Sequence, residues 1–196
     1  MIFWHWLEQT DKQLFSLINF YGSVPVLDLP MRAMRHAYTW IPLYVFMLYW
    51  TIRYARKYAW QFALFTILSF ACTDYISSAV LKPLIGRTRP CYDPSVQSVI
   101  HKLESCGGVY SMPSSHASNH FGLATFWFCA IFYITGKRWN WLFGWAFLIG
   151  YAQIYVGKHF PLDILAGAGF GSLMGYLLAS IFYSWQFRRS SGSTRV

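Results

Sequence analysis

Five apolar stretches, at about residues 37–54, 58–81, 114–135, 139–156 and 162–185, recur along this chain, each close to the length a helix needs to cross a bilayer. Inside lipid the backbone finds no water to bond to, so such stretches fold as helices. The chain is 56% apolar and only 12% charged, which excludes an ordinary soluble domain. The expected architecture is all-α, a polytopic transmembrane helical bundle of about five spans plus an N-terminal interfacial helix. At 196 residues it is one membrane-embedded unit, expected over 1–187.

Residues 3–20 mix Trp4, Trp6, Leu7 and Phe15 with Glu8, Asp11 and Lys12, the pattern of a helix lying on a membrane face. Gly22, Pro25 and Pro30 are expected to break the chain after that helix, giving an interfacial segment over 1–36. No cleavable leader is expected, because Glu8 and Asp11 stand where a basic region and an apolar core belong. Residues 82–113 form the one long polar loop, with Pro83, Pro90, Pro94 and Pro113. The Ser-, Gly- and Arg-rich tail, 188–196, is expected to be disordered.

The net charge of +9 comes without a basic stripe and interleaved aromatics in a soluble segment, so no nucleic-acid partner is expected. Loop charge sets orientation instead. Arg53, Arg56, Lys57, Lys137, Arg138, Arg188 and Arg189 fall on one side of a five-span bundle, which the positive-inside rule makes cytoplasmic. The long loop, the start of the third span and the stretch 155–163 then meet at the outer face.

Those three segments carry the chemistry. Lys82, Arg87 and Arg89 place three cations within eight residues, a natural phosphate clamp at a membrane surface. Pro113, Ser114, Ser115 and His116 open a span, so the amides near Ser115 point at an anion, Ser114 adds a hydroxyl and His116 is placed to protonate a leaving oxygen. His159 stands four residues before Asp163, with Pro161 suited to a first helical turn, so the carboxylate can orient the imidazole. Gly167, Gly171 and Gly175 continue the Asp163 face as a small-residue packing stripe.

In order and spacing, Lys82-x6-Arg89-Pro90, Pro113-Ser114-Ser115-His116 and His159-x3-Asp163 resemble the three signatures of the type-2 phosphatidic acid phosphatase family. That resemblance implies a helical core shared with bacterial acid phosphatases and vanadium haloperoxidases. It implies a metal-independent lipid phosphatase, with no cofactor. His159 is the implied nucleophile, Asp163 orients it, and His116 protonates the departing lipid oxygen. Lys82, Arg89, Ser114 and Ser115 hold phosphate oxygens. Two positions depart from the family: Ala152 and Gln153 stand where Ser-Arg is usual, and Ser115 where glycine is common. Gln153 can donate to a phosphate oxygen but brings no charge. Arg87 and Lys158 are the candidates to supply it, Arg87 being preferred because it shares the clamp segment. Asp93 and Glu104 are the only acids of the outer loop, too few for a metal cage, so no metal is expected.

Around these, His120 is a candidate for a supporting role one turn below His116, and Asp74 for structural hydrogen bonding. A Cys91–Cys106 bridge is expected to tie the clamp to the run before Pro113, with Cys72 and Cys129 as buried apolar residues. The expected function is hydrolysis of a lipid phosphomonoester or pyrophosphate at the outer face of a bacterial inner membrane. The partners are the bilayer and a phospholipid or prenyl phosphate. Undecaprenyl pyrophosphate, phosphatidylglycerol phosphate, phosphatidic acid and lipid A phosphates are candidates, the short outer loop favouring a prenyl pyrophosphate or a glycerophospholipid. The alternatives are a lipid-to-lipid phosphotransferase and a non-enzymatic lipid-binding or transport protein.

Overall fold

A computed structural model describes residues 2–187; the tail expected to be disordered lies outside the described residues. Eight helices run in order: α1 (Ile2–Ser16), α2 (Pro25–Met34), α3 (Ile41–Tyr54), α4 (Ala59–Tyr75), α5 (Lys82–Ile85), α6 (Ser115–Thr135), α7 (Trp141–Tyr155) and α8 (Pro161–Phe187). A π-helical segment, Ile76–Leu81, joins α4 to α5 without a break. Among the described residues the only β pairing is an isolated bridge between Thr88 and Tyr110.

Helices stand at all five expected spans. Among the described residues two helices reach spanning length and hydropathy, Arg56–Ile85, of 30 residues, and Pro161–Gln186, of 26. The bent pair Trp4–Tyr21 and Pro25–Met34 passes only when taken together. The others, α3, α6 and α7, have 14, 21 and 15 residues. The first starts later than expected, because residues 37–40 wind as a 3-10 turn before Pro42 enters the first turn of α3. Lys82 lies in the last helical turn and not in the loop; the stop comes at Gly86, whose φ of 68° suits a left-handed cap.

The core is built on α6 and α8. Cβ atoms added at Gly167, Gly171 and Gly175 would stand 2.6, 2.1 and 2.3 Å from the carbonyl oxygens of Ser114, Ser118 and Gly122. The expected stripe therefore lets α8 lie directly on the α6 backbone. Below it, Phe62, Phe65, Phe126, Trp127, Trp145 and Phe182 fill one aromatic cluster. Leu165, Leu173, Leu177 and Ile181 of α8 point outward, a face suited to lipid.

The N-terminal segment differs from expectation. Pro25 starts α2 and Pro30 sits inside it, so these residues shape a helix and do not end one. The helical run Trp4–Tyr21 and α2 meet at a bend of 117°. Buried Asn19 donates to the Tyr155 carbonyl (2.7 Å) and accepts from the His101 amide (2.8 Å), seating the bend on the end of α7 and the outer loop. Lys12 pairs with Asp93 at 2.9 Å, a second tie to that loop. Asp11 is 2% exposed: an amphipathic pattern leaves it in water, and the fold buries it.

Cys91 and Cys106 are disulfide-bonded, their Cα atoms 6.2 Å apart. Closing a loop of that size stabilises by about 3 kcal/mol, so dithiothreitol should lower the melting temperature, and should not do so in Cys91→Ser/Cys106→Ser protein. Cys72 and Cys129 are half-buried and not fully enclosed.

Candidate active site

Where α7 gives way to α8, Gly157 (φ 80°) turns the chain and Pro161 starts the next helix, leaving His159 at its mouth. His159 and Asp163 are 2% and 0% exposed. The Asp163 carboxylate accepts from the Phe160 amide through Oδ2 (2.8 Å), and the same oxygen lies 3.5 Å from His159 Nδ1. That last distance is longer than an ordinary hydrogen bond. With the Nδ1 edge turned to the carboxylate, the lone pair available for attack is on Nε2. Burial pushes the imidazole down to about 4 against the opposing pull of Asp163, so the ring is neutral at physiological pH.

Arg87 is not where the sequence placed it. Its Nη1 donates to Asp163 Oδ1 (2.8 Å), its Nη2 bonds Asp11 Oδ2, and the guanidinium stacks 4.4 Å over the Phe160 ring. The two carboxylates hold its charge above the ordinary arginine range despite burial. Asp11 also accepts from the Leu162 amide (2.8 Å), so it braces the first turn of α8. Sequence reading missed Asp11, which reads there as one of two acids, with Glu8, on the polar side of an amphipathic helix. Arg87 is therefore held by two carboxylates, one of them the partner of His159.

The other cations named from the sequence lie near one another. Lys82 lies close enough to Arg89, Asp163 and Lys158 for their charges to act on it, and His116 is likewise within the fields of His159, Lys82 and Arg35. Arg89 Nη1 reaches the Lys158 carbonyl at 3.5 Å, while its buried Nε has no partner among the described residues. Lys158 is 8% exposed, and burial beside Arg35 and Arg89 pushes its ammonium down to about 8.

Ser114 caps α6: its Oγ accepts from the Ala117 amide (3.4 Å), and its own amide donates to the Asp163 carbonyl (2.9 Å). The hydroxyl hydrogen is left to give, and so are the amides of Ser115 and His116, which a helix start cannot satisfy internally. Ser115 Oγ and both amide atoms of Gln153 are buried without a partner among the described residues. His120 Nδ1 meets the His116 carbonyl at 2.7 Å and its ring packs on Trp145, a layer behind the site. Asp74 accepts from Asn119 (2.8 Å), the structural role expected of it. Asp93 pairs with Lys12, and Glu104 with Arg32 and Arg35.

A buried, carboxylate-backed imidazole, with a second imidazole and several cations close enough for their charges to act on one another, sits at one end of a bundle of apolar helices. The chain belongs to the PAP2 superfamily, which matches residues 60–191. It is 35% identical over 184 residues to a lipid A 4'-phosphatase of Bacteroides thetaiotaomicron, covering 88% of this chain and 78% of that protein. It is 27% identical over 175 residues to an undecaprenyl-diphosphatase of Sulfolobus acidocaldarius, covering 87% and 78%. Its fold is similar to that of a PAP2-type phosphatidylglycerolphosphate phosphatase from Bacillus subtilis, with a TM-score of 0.69, 22% identity, and 93% and 88% of the two chains covered. Aquifex aeolicus LpxE gives a TM-score of 0.61 at 26% identity, over 86% and 93%.

Proposed function

We propose that this enzyme removes phosphate from a lipid phosphomonoester through a phosphohistidine on His159. The buried His159–Asp163 pair with His116 beside it carries the reading. Nε2 of His159 attacks phosphorus and the bond to the lipid oxygen breaks, His116 giving that oxygen its proton. His116 then takes a proton from water, which attacks phosphorus, breaks the P–N bond and releases inorganic phosphate. Lys82, Arg89, the Ser114 hydroxyl and the first amides of α6 stabilise the transferring group; this is preorganised charge, and no step calls for a metal.

Likeness to lipid A 4'-phosphatases of two organisms favours a glycolipid phosphate over the prenyl pyrophosphate suggested by the short outer loop. The site faces outward in this reading. Trp50 and Tyr54, near the basic α3–α4 connection, share one surface with Lys137 and Trp139 of the α6–α7 connection, at the end of α6 opposite His116. Positive-inside orientation makes that end cytoplasmic.

The test is inorganic phosphate release by purified protein in detergent, with EDTA, from lipid A, phosphatidic acid, phosphatidylglycerol phosphate and undecaprenyl pyrophosphate. Turnover fastest on lipid A supports the substrate. Labelled phosphate passing to a lipid acceptor with none released would establish a transferase, and loss of turnover in EDTA would overturn the metal-free route.

The histidine also fixes a pH dependence. Protonation of His159 removes the nucleophile, and its value lies near 4 where an ordinary histidine has 6.5. The acid limb that His159 sets in kcat/KM should therefore fall near pH 4; a limb near 6.5 would contradict the buried neutral ring.

A further inference from the structure

Gln153 is buried, neutral and unpartnered at a point where a transferring phosphate needs positive charge, and Arg87 is tied to two carboxylates. We propose that Arg35, in the turn after α2, supplies the missing cation by binding a non-bridging oxygen of the substrate phosphate, an assignment that rests on the phosphatase reading above.

Placement is the first support. Met31 of α2 packs with Ala152, Tyr155 and Val156, the turn of α7 that contains Gln153. Arg35 is four residues further, one helical turn along the same face. An alanine at position 152 leaves α2 room to lie there. The N-terminal segment, outside the part matched by the family, thereby reaches the site.

The second support is how the side chain is held. Only 11% of it is exposed, and Nη1 bonds Glu104 Oε2 at 2.9 Å. Glu104 also takes Arg32 at 3.1 Å, so one carboxylate is shared between two guanidinium groups and the balance stays positive. Arg35 Nε is buried and bonds nothing among the described residues. The edge bearing Nε is the one a guanidinium uses for side-on, two-point binding of a phosphate.

Third, Arg35 lies close enough for its charge to act on His116, Arg89 and Lys158. Like charges are gathered here without acids enough to neutralise them, an arrangement that costs stability in the free protein and is relieved by an anion. Lys158 is the weaker candidate because an ammonium binds phosphate as a point charge, whereas the guanidinium of Arg35 offers a buried, unpartnered Nε edge for two-point binding.

The experiment compares full-length wild type with Arg35→Ala, Arg35→Ala/Gln153→Arg and Arg32→Ala, reading phosphate release and, separately, binding of inorganic phosphate by calorimetry. Removing one charge-assisted donor from a transition state costs roughly 10²-fold in kcat. Arg35→Ala should show that loss and weaker phosphate binding, Gln153→Arg should recover at least about tenfold, and Arg32→Ala, which leaves Glu104 paired to Arg35, should stay within about threefold. Unchanged phosphate binding and turnover in Arg35→Ala overturns the proposal. So does an equal loss in Arg32→Ala, which would mean the Glu104 cluster only shapes the fold. If wild type releases no phosphate from any lipid, the phosphatase reading fails, while calorimetry still decides whether Arg35 binds the anion.

Discussion

Replacing His159 with alanine should lower phosphate release by on the order of 10⁴-fold or more, with the protein still folded. The size reflects the role: a general acid or a clamp cation shares its work with neighbours, whereas a covalent intermediate has one attachment atom. His159 is sealed at 2% exposure, and water filling its space could not inherit the Asp163 contact in a useful geometry. Quenching wild type in mid-turnover with labelled lipid should trap an acid-labile, base-stable phosphoprotein that is absent from His159→Ala. His159→Ala at a tenth of the wild-type rate would mean that water attacks phosphorus directly.

The largest structural effect is expected at Gly171. A methyl group there would stand 2.1 Å from the Ser118 carbonyl oxygen, well inside contact, and the obstacle is backbone that cannot rotate away. The two helices must part, opening the seam at Gly167 and Gly175 as well. Gly171→Ala should cost about 3 kcal/mol or more, seen as a lowered melting temperature in detergent and a parallel loss of turnover. Gly169→Ala is the control, since a Cβ there meets nothing within 4 Å. Equal melting temperatures for the two variants would show that the α6–α8 contact is looser than drawn.

Much of this was legible in the sequence. Hydropathy placed the five helices because lipid leaves a chain few choices, and the three motifs carried their own spacing: Ser114, His116, His159 and Asp163 stand at helix starts that Pro113 and Pro161 announce. The partners were not legible. Asp11 and Arg87 are 76 residues apart, and an acid on an amphipathic helix has the same local pattern whether it meets water, as Glu8 does, or a buried guanidinium. For the same reason Arg87 read as one more clamp cation; only the fold supplies the two acids that claim it. Arg35 was hidden behind Pro25 and Pro30, which suggested a broken segment where α2 forms a helix and docks on Ala152.

The bond from the Ser114 amide to the Asp163 carbonyl joins the first residues of α6 to the first residues of α8, directly above the glycine seam. His159 and His116 thus ride on one frame, the start of α8 tied to the start of α6. Whatever separates α6 from α8 therefore displaces the two histidines from each other at once.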